Sequence, residues 1–379
     1  MDALQLLSGD AQGFVEKTWA SRVLLHETDP DDLVGLLSFD DVDELLTSTA
    51  IRTPAVRLAQ DGEVLPSSRY TRSGASLAGQ PLTGLVDPRK VIDLFEGGAT
   101  VVLQGLHRYW APLATLVAEL ELALGHPCQA NAYLTPPGSQ GFAVHSDSHD
   151  VFVFQTHGSK LWEVHPAPGD AAGGVREVLL EPGLSMYLPT GTPHAARARD
   201  TVSLHVTIGI NQLTWRTVLD RAVTAAMTDV DADDHLPAGY LDRPDLLADG
   251  LGQRVRRLAD ALATVDTAAI AEAQADAFLR RRNPRLRGSL VDRMRLDELD
   301  HQTRLRRRPG KPCVLRPDGD RLHLLLGDRR LTVPARITGA VERARSLDEL
   351  TPDDLGLDAQ SALVLARRLV REGLLEVVL

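Results

Sequence analysis

Apolar positions in the first 125 residues recur mainly at helical spacing. Residues 12–60 read as helix and loop, with Phe14 and Trp19 near the start. Two acidic clusters, Asp29-Pro30-Asp31-Asp32 and Asp40-Asp41, each precede an apolar face, as helix N-termini prefer. Further on, 88–98 predicts a short helix, 99–104 a buried strand, and 108–124 an amphipathic helix ended by Gly125.

From Asn131 to Asn211 the pattern changes to short β-rich runs separated by Gly, Pro and Asp turns. Strands are expected at about 129–135, 141–145, 150–156, 160–165, 175–180, 184–189, 194–197 and 201–211. Turns at such close intervals indicate an antiparallel sandwich or barrel rather than βαβ units. After Gln212 the helical period returns, at 215–229 and again at 251–282, with an acidic break at 229–234 between them. The last segment reads as a strand (313–316), a hairpin turning at Gly327-Asp328 (321–333), two helices (335–345 and 359–373) and a closing strand. That order is similar to a winged helix. The expectation is an α+β chain in three parts: a catalytic domain with an N-terminal helical elaboration (1–212), a helical dimerisation segment (213–311) and a winged-helix-like domain (312–379).

A length of 379 residues is more than one core of roughly 100–200 residues uses, which agrees with several packed units. Hydrophobic residues make up 43% and charged residues 25%, as in globular proteins, and no apolar run approaches the roughly 20 residues that span a bilayer. The first residues lack the basic and apolar regions of a signal peptide, so a cytoplasmic protein is expected, without a membrane partner. Cys128 and Cys313 stand far apart and form neither a disulfide framework nor a zinc-cysteine site. A net charge of −11 disfavours nucleic acid and suits a basic protein or peptide partner, although acidity also serves solubility. The candidate second helix of the winged-helix-like domain carries Arg367, Arg368 and Arg371 beside Asp353, Asp354 and Asp358, which favours a structural or docking role over DNA binding. The Arg-rich stretch 280–308 reads as a solvated face of a connecting helix and loop.

Candidate chemistry concentrates in the β-rich part. His145 and Asp147 are two residues apart, so on a strand both project to one face, and His194 follows 47 residues after Asp147 behind a Gly/Pro turn. Two imidazoles and one carboxylate leave three positions open on a metal, as an O₂-activating iron(II) requires; zinc also accepts these donors. Lys160 lies in an apolar stretch, where an ammonium is costly unless paired, and the far carboxylate of 2-oxoglutarate would pair it. Asn131 and Tyr133 alternate on one face of the preceding strand and could hydrogen-bond the same ligand. Pro189 and Pro193 stiffen the approach to His194. Among the other histidines, His149 has a substrate-facing reading and one as a surface or hydrogen-bonded strand residue, and His205 reads as packed or as a support just behind the metal ligands. His107, His157 and His165 read as turn or surface residues.

These stretches carry a family resemblance: Asn131 to Phe142, the His-x-Asp-x-x-Asp-Val-Phe run from His145, Gln155 to Trp162, and Leu188 to His194. Together they resemble the JmjC oxygenases of the ribosomal-oxygenase (cupin-like) group. The resemblance is dense over the JmjC core and looser over the helical and winged-helix-like parts. It implies a double-stranded β-helix with iron(II) on His145, Asp147 and His194. It also implies 2-oxoglutarate held through its C5 carboxylate by Lys160, with Asn131, Tyr133 and Thr207 nearby. Members hydroxylate side chains of ribosomal proteins and usually dimerise through the helical region. Many relatives carry an aromatic residue between the metal-binding His and Asp, where this chain has Ser146, so the resemblance says less about substrate than about cofactor. Other readings are hydroxylation of a small molecule or precursor peptide, a non-catalytic cupin-like binding or regulatory protein, and a zinc hydrolase. The regulatory reading leaves no reason for all four of His145, Asp147, His194 and Lys160, and the hydrolase leaves Lys160 unexplained.

Overall fold

A computed structural model describes residues 2–139, 143–169 and 174–378. The chain divides into two compact units, Met1–Gln212 and Leu213–Leu379.

The first unit is built on strands β1 (Leu24–Glu27), β2 (Val56–Gln60), β3 (Glu63–Val64), β4 (Thr100–Leu103), β5 (Cys128–Thr135), β6 (Asp150–His157), β7 (Lys160–Val164), β8 (Arg176–Leu180), β9 (Leu184–Leu188), β10 (His194–Ala198) and β11 (Ser203–Ile210). Eight of them form one antiparallel sheet in the order β1-β9-β6-β11-β5-β4-β2-β3, and a smaller sheet runs β8-β7-β10. Alternation along each strand sorts its side chains between two cores. Ala130, Ala132 and Leu134 of β5, Phe152 and Phe154 of β6, and Val206 and Ile208 of β11 pack outward against Leu4, Leu7, Phe14 and the helix Ala111–Leu124. Val151 and Val153 face the other way and join Trp162, Val164, Val178, Leu180, Met186 and Leu188 in a second cluster between the two sheets. Both faces of β6 are thus covered, which is why its sequence is apolar at nearly every position. Phe14 meets the Tyr187 ring edge-on at 4.8 Å, and replacing a fully buried Phe152 by Ala would cost about 3–5 kcal/mol.

The strand expected at 141–145 is absent over its described residues. His145 pairs with His194 in a single antiparallel bridge, and the chain turns at once toward β6, leaving no room for a longer ladder. Gln140, Gly141 and Phe142 of the motif lie outside the described residues. Between β6 and β7, Gly158 takes φ +60° and a Cβ there would collide with the carbonyl of Val202, so the turn that sets Lys160 in place demands glycine.

The second unit contains helices Trp215–Ala226, Pro244–Ala263 and Thr267–Arg280, then a three-stranded meander (Val314–Asp318, Arg321–Leu325, Arg330–Pro334), helices Thr338–Ser346 and Ala359–Arg371, and the strand Leu375–Val377. Leu375–Val377 and Glu349–Leu350 flank Leu305–Arg307 in a further small sheet, whose strands are too short to leave a period in the sequence. Helical structure starts at Pro244, earlier than expected, and breaks at Thr264–Asp266. The Arg-rich stretch is not solvated throughout. Arg308 is buried, 2.6 Å from Asp292 and 2.9 Å from Glu376, because partners distant in sequence neutralise it.

Candidate metal centre

His145, Asp147 and His194 converge, each offering a ligand atom within 4.8 Å of the others. The mutual backbone bonds of the bridge bring the histidines together, His145 N to His194 O at 3.0 Å and His194 N to His145 O at 2.8 Å. The expected strand alternation of His145 and Asp147 plays no part: a bridge and a turn do the same work. Gly191 N donates to Asp147 O at 2.9 Å, tying the carboxylate's segment to the turn before His194.

Both imidazoles are oriented alike. His145 Nδ1 lies 2.9 Å from the carbonyl of Ala143, and His194 Nδ1 lies 2.9 Å from that of Thr192. A carbonyl only accepts, so each ring donates from Nδ1 and keeps its Nε2 lone pair for a metal. Burial holds the His194 pKa below its ordinary value. The nearby His145 pushes the same way, against the pull of the Thr192 carbonyl and Asp147. His194 Nε2 stands 3.7 Å from Asp147 Oδ2, too far for a hydrogen bond and suited to sharing an ion. His194 is buried, Asp147 half-buried and His145 exposed, so the site opens on the His145 side.

The triad borders a cavity of about 110 Å³, also lined by Lys160, Tyr133, Thr207 and His205. Lys160 is 4% exposed, and its ammonium donates to Thr135 Oγ1 at 3.2 Å. No carboxylate pairs with it among the described residues, and burial pulls its pKa down to about 8. Tyr133 and Thr207 share a hydrogen bond; burial raises the phenol's pKa, Arg57 lowers it and Asp147 raises it. Asn131 lies on the same face of β5, paired with Thr207 across the ladder, but its Oδ1 accepts from Gly105 N at 2.9 Å and it does not line the cavity.

His205 stands closer to the site than its sequence reading required. His205 is packed, as expected, but it also lines the cavity: it stacks on Tyr133 at 4.9 Å and 4°, and Trp162 meets its edge at 5.6 Å. Burial and then the Lys160 charge hold its pKa well below the usual value, so the ring is neutral, and its Nδ1 has no partner among the described residues. Its alternation with Ser203 and Thr207 on one face of β11 was the available signal. His149 packs on Gly209, where a Cβ would come within 2.6 Å of its Nε2. His107 accepts from Ala130 N, His165 pairs with Glu163, and the His157 ring lies tilted against Phe39 at 5.2 Å.

Two imidazoles and a carboxylate thus border a pocket holding an ammonium with no carboxylate partner among the described residues, and residues 112–218 match the family model of the JmjC domain. Among its relatives, ribosomal oxygenase 1 of Homo sapiens is 30% identical over 253 residues, covering 60% of this chain and 38% of that protein. The Branchiostoma floridae bifunctional lysine-specific demethylase and histidyl-hydroxylase NO66 is 32% identical over 239 residues, covering 60% and 36%. The chain thus spans little more than a third of the length of these curated relatives. Escherichia coli ribosomal oxygenase YcfD shares the fold, with a TM-score of 0.53 at 17% identity over 97% of this chain and 98% of that one. A structure of YcfD in complex with cobalt and 2-oxoglutarate superposes with a TM-score of 0.52 at 18% identity.

Proposed function

We propose that this protein is an iron(II)- and 2-oxoglutarate-dependent hydroxylase acting on a protein or peptide side chain, with a basic ribosomal protein as the favoured class of substrate. The observation that carries the reading is a single cavity bordered by His145, Asp147 and His194 and containing a buried lysine without a carboxylate partner among the described residues. The donor set fits a divalent iron with open positions, and the lysine fits a dicarboxylate. Names of the relatives, ribosomal oxygenase and histidyl-hydroxylase, support the substrate class. With both groups bound, the site supplies O₂-dependent hydroxylation of a C–H bond, releasing succinate and carbon dioxide.

The chain's own part is placement. His145 and His194 present Nε2 because their Nδ1 protons are committed to backbone carbonyls. Lys160 holds the far carboxylate, Tyr133 and Thr207 offer hydroxyls beside it, and Asn131 braces the turn at Gly105 behind them. Val151, Val153 and Trp162 keep water from the rest of the pocket. The test incubates the protein with iron(II), 2-oxoglutarate and candidate ribosomal-protein peptides and seeks succinate together with a peptide mass gain of one oxygen. No succinate under any condition would overturn the enzymatic reading.

Assembly and location extend the same proposal. Trp215, Leu219 and Val223 are exposed at four-residue spacing on one helix, and Pro244–Ala263 buries none of its side chains, which supports a homodimer through this region. A monomeric mass by light scattering at micromolar concentration would refute it. The winged-helix-like assignment of 312–379 is supported by two helices with small sheets, and a cytoplasmic location by reduced Cys128 and Cys313. No helix among the described residues is long and apolar enough to cross a membrane.

A further inference from the structure

We propose that Asp150 is a positioning residue for the metal centre, a buried carboxylate that clasps the two chain segments supplying the ligands. The proposal rests on the metal-binding reading above. Asp150 follows Asp147 by three residues, opens β6 and is fully buried. Its Oδ1 accepts from Thr190 N at 2.6 Å and from Thr190 Oγ1 at 2.7 Å, and its Oδ2 accepts from the Tyr187 hydroxyl. That hydroxyl in turn accepts from Ala20 N at 2.9 Å.

Thr190 stands four residues before His194 and next to Gly191, whose N–H holds the carbonyl of Asp147. The bonds therefore close a circuit. Segment 145–150 and segment 187–194 are joined at the His145–His194 bridge, at Asp147–Gly191 and at Asp150–Thr190, with Tyr187 as a strut behind. All three ligands lie inside it.

A neutral side chain could fasten a turn to a strand. A buried carboxylate is an expensive choice for that purpose unless its charge is used, and no Lys or Arg pairs with it among the described residues. A divalent ion held by Asp147 carries one positive charge in excess of its single carboxylate. Asp150, on the same turn, supplies the second negative charge while its three donors keep it from competing as a ligand.

The experiment titrates cobalt(II) into the full chain, following heat and the visible absorption of the bound ion, well below the unfolding transition. Asp150→Asn keeps the shape and removes the charge. It should weaken cobalt binding about tenfold and alter the absorption band, while far-UV circular dichroism stays native. A merely structural staple would lower the melting temperature of the metal-free protein and leave the cobalt dissociation constant within about threefold, which overturns the proposal. Should Asp150→Asn fail to fold, Thr190→Val decides. It removes one donor and keeps the backbone bond, and a dissociation constant changed by less than about twofold counts against the clasp. Wild-type protein that does not bind cobalt at all sinks the metal reading itself, whereas wild-type binding with unaffected variants sinks the role of Asp150 alone.

Discussion

Two lysines are buried in this molecule, one in each unit, and their surroundings differ. Lys311 is 1% exposed, and its ammonium sits 2.8 Å from Asp328, which also meets Arg329 at 3.1 Å; Arg329 continues to Glu372 at 2.9 Å. Lys160 is 4% exposed and has the Thr135 hydroxyl. An ammonium removed from water costs several kcal/mol unless a counter-charge offsets it. The second unit encodes that counter-charge in its own sequence, so its lysine serves the fold. On the function proposed above, the first unit leaves it to a ligand, so its lysine would make the empty pocket less stable and the filled one more so. Burial by itself does not distinguish the two lysines; a carboxylate partner among the described residues does.

The largest expected effect removes the centre that gives the Lys160 pocket its purpose. His194→Ala or Asp147→Ala should abolish succinate production while the thermal midpoint of the metal-free protein changes little, since these side chains contribute little to either core. Succinate at the wild-type rate from either purified variant would contradict the site.

Exchanging the lysines' fates comes next. Lys160→Ala should weaken 2-oxoglutarate binding on the order of 10²- to 10³-fold by leaving its C5 carboxylate unpaired, measured by anaerobic titration of the iron-loaded protein. Iron binding should survive. Lys311→Ala should do the reverse, lowering stability by on the order of 2–4 kcal/mol in urea unfolding with 2-oxoglutarate affinity intact. If both variants lose affinity equally, the contrast between the two lysines fails.

A smaller effect comes from pH. The Lys160 pKa in the ligand-free protein, about 8, lies below that of an exposed lysine, so the folded state releases its proton first as pH rises. Ligand-free stability should therefore increase from about pH 8 toward the ordinary lysine range, because there the unfolded chain binds the extra proton. Affinity for the dicarboxylate should run the other way, flat below about pH 7.5 and falling by up to about tenfold per unit above 8. A dissociation constant independent of pH between 7 and 9.5 would show that the ammonium is not the partner. Smallest of all, Lys160→Arg should fall between wild type and alanine in affinity, since it keeps the charge but needs planar room.

How far the sequence discloses this depends on the range of each interaction. Short β-rich runs between closely spaced turns showed the barrel because strand and turn signals are local, and Lys160 was conspicuous because its neighbours are apolar. His145 and Asp147 were recognised although the strand that was to carry them is absent, since spacing alone does not separate a strand from a bridged turn. Asp150 belongs to the run that begins at His145, but nothing local disclosed its role, because Tyr187 and Thr190 lie 37 and 40 residues away. Arg308 was misread as solvated for the same reason, its partner Glu376 being 68 residues distant.

The short strand β1 has a consequence for handling the protein. Leu24–Glu27 occupies the free margin of β9, pairing Leu25 with Met186 and His26 with Ser185. Were the chain clipped after Glu27 and the cut segment lost, β9 would present the N–H and C=O groups that now pair with β1. Proteolytic trimming of this segment would therefore move the sheet's outer edge from the four-residue β1 to the five-residue β9.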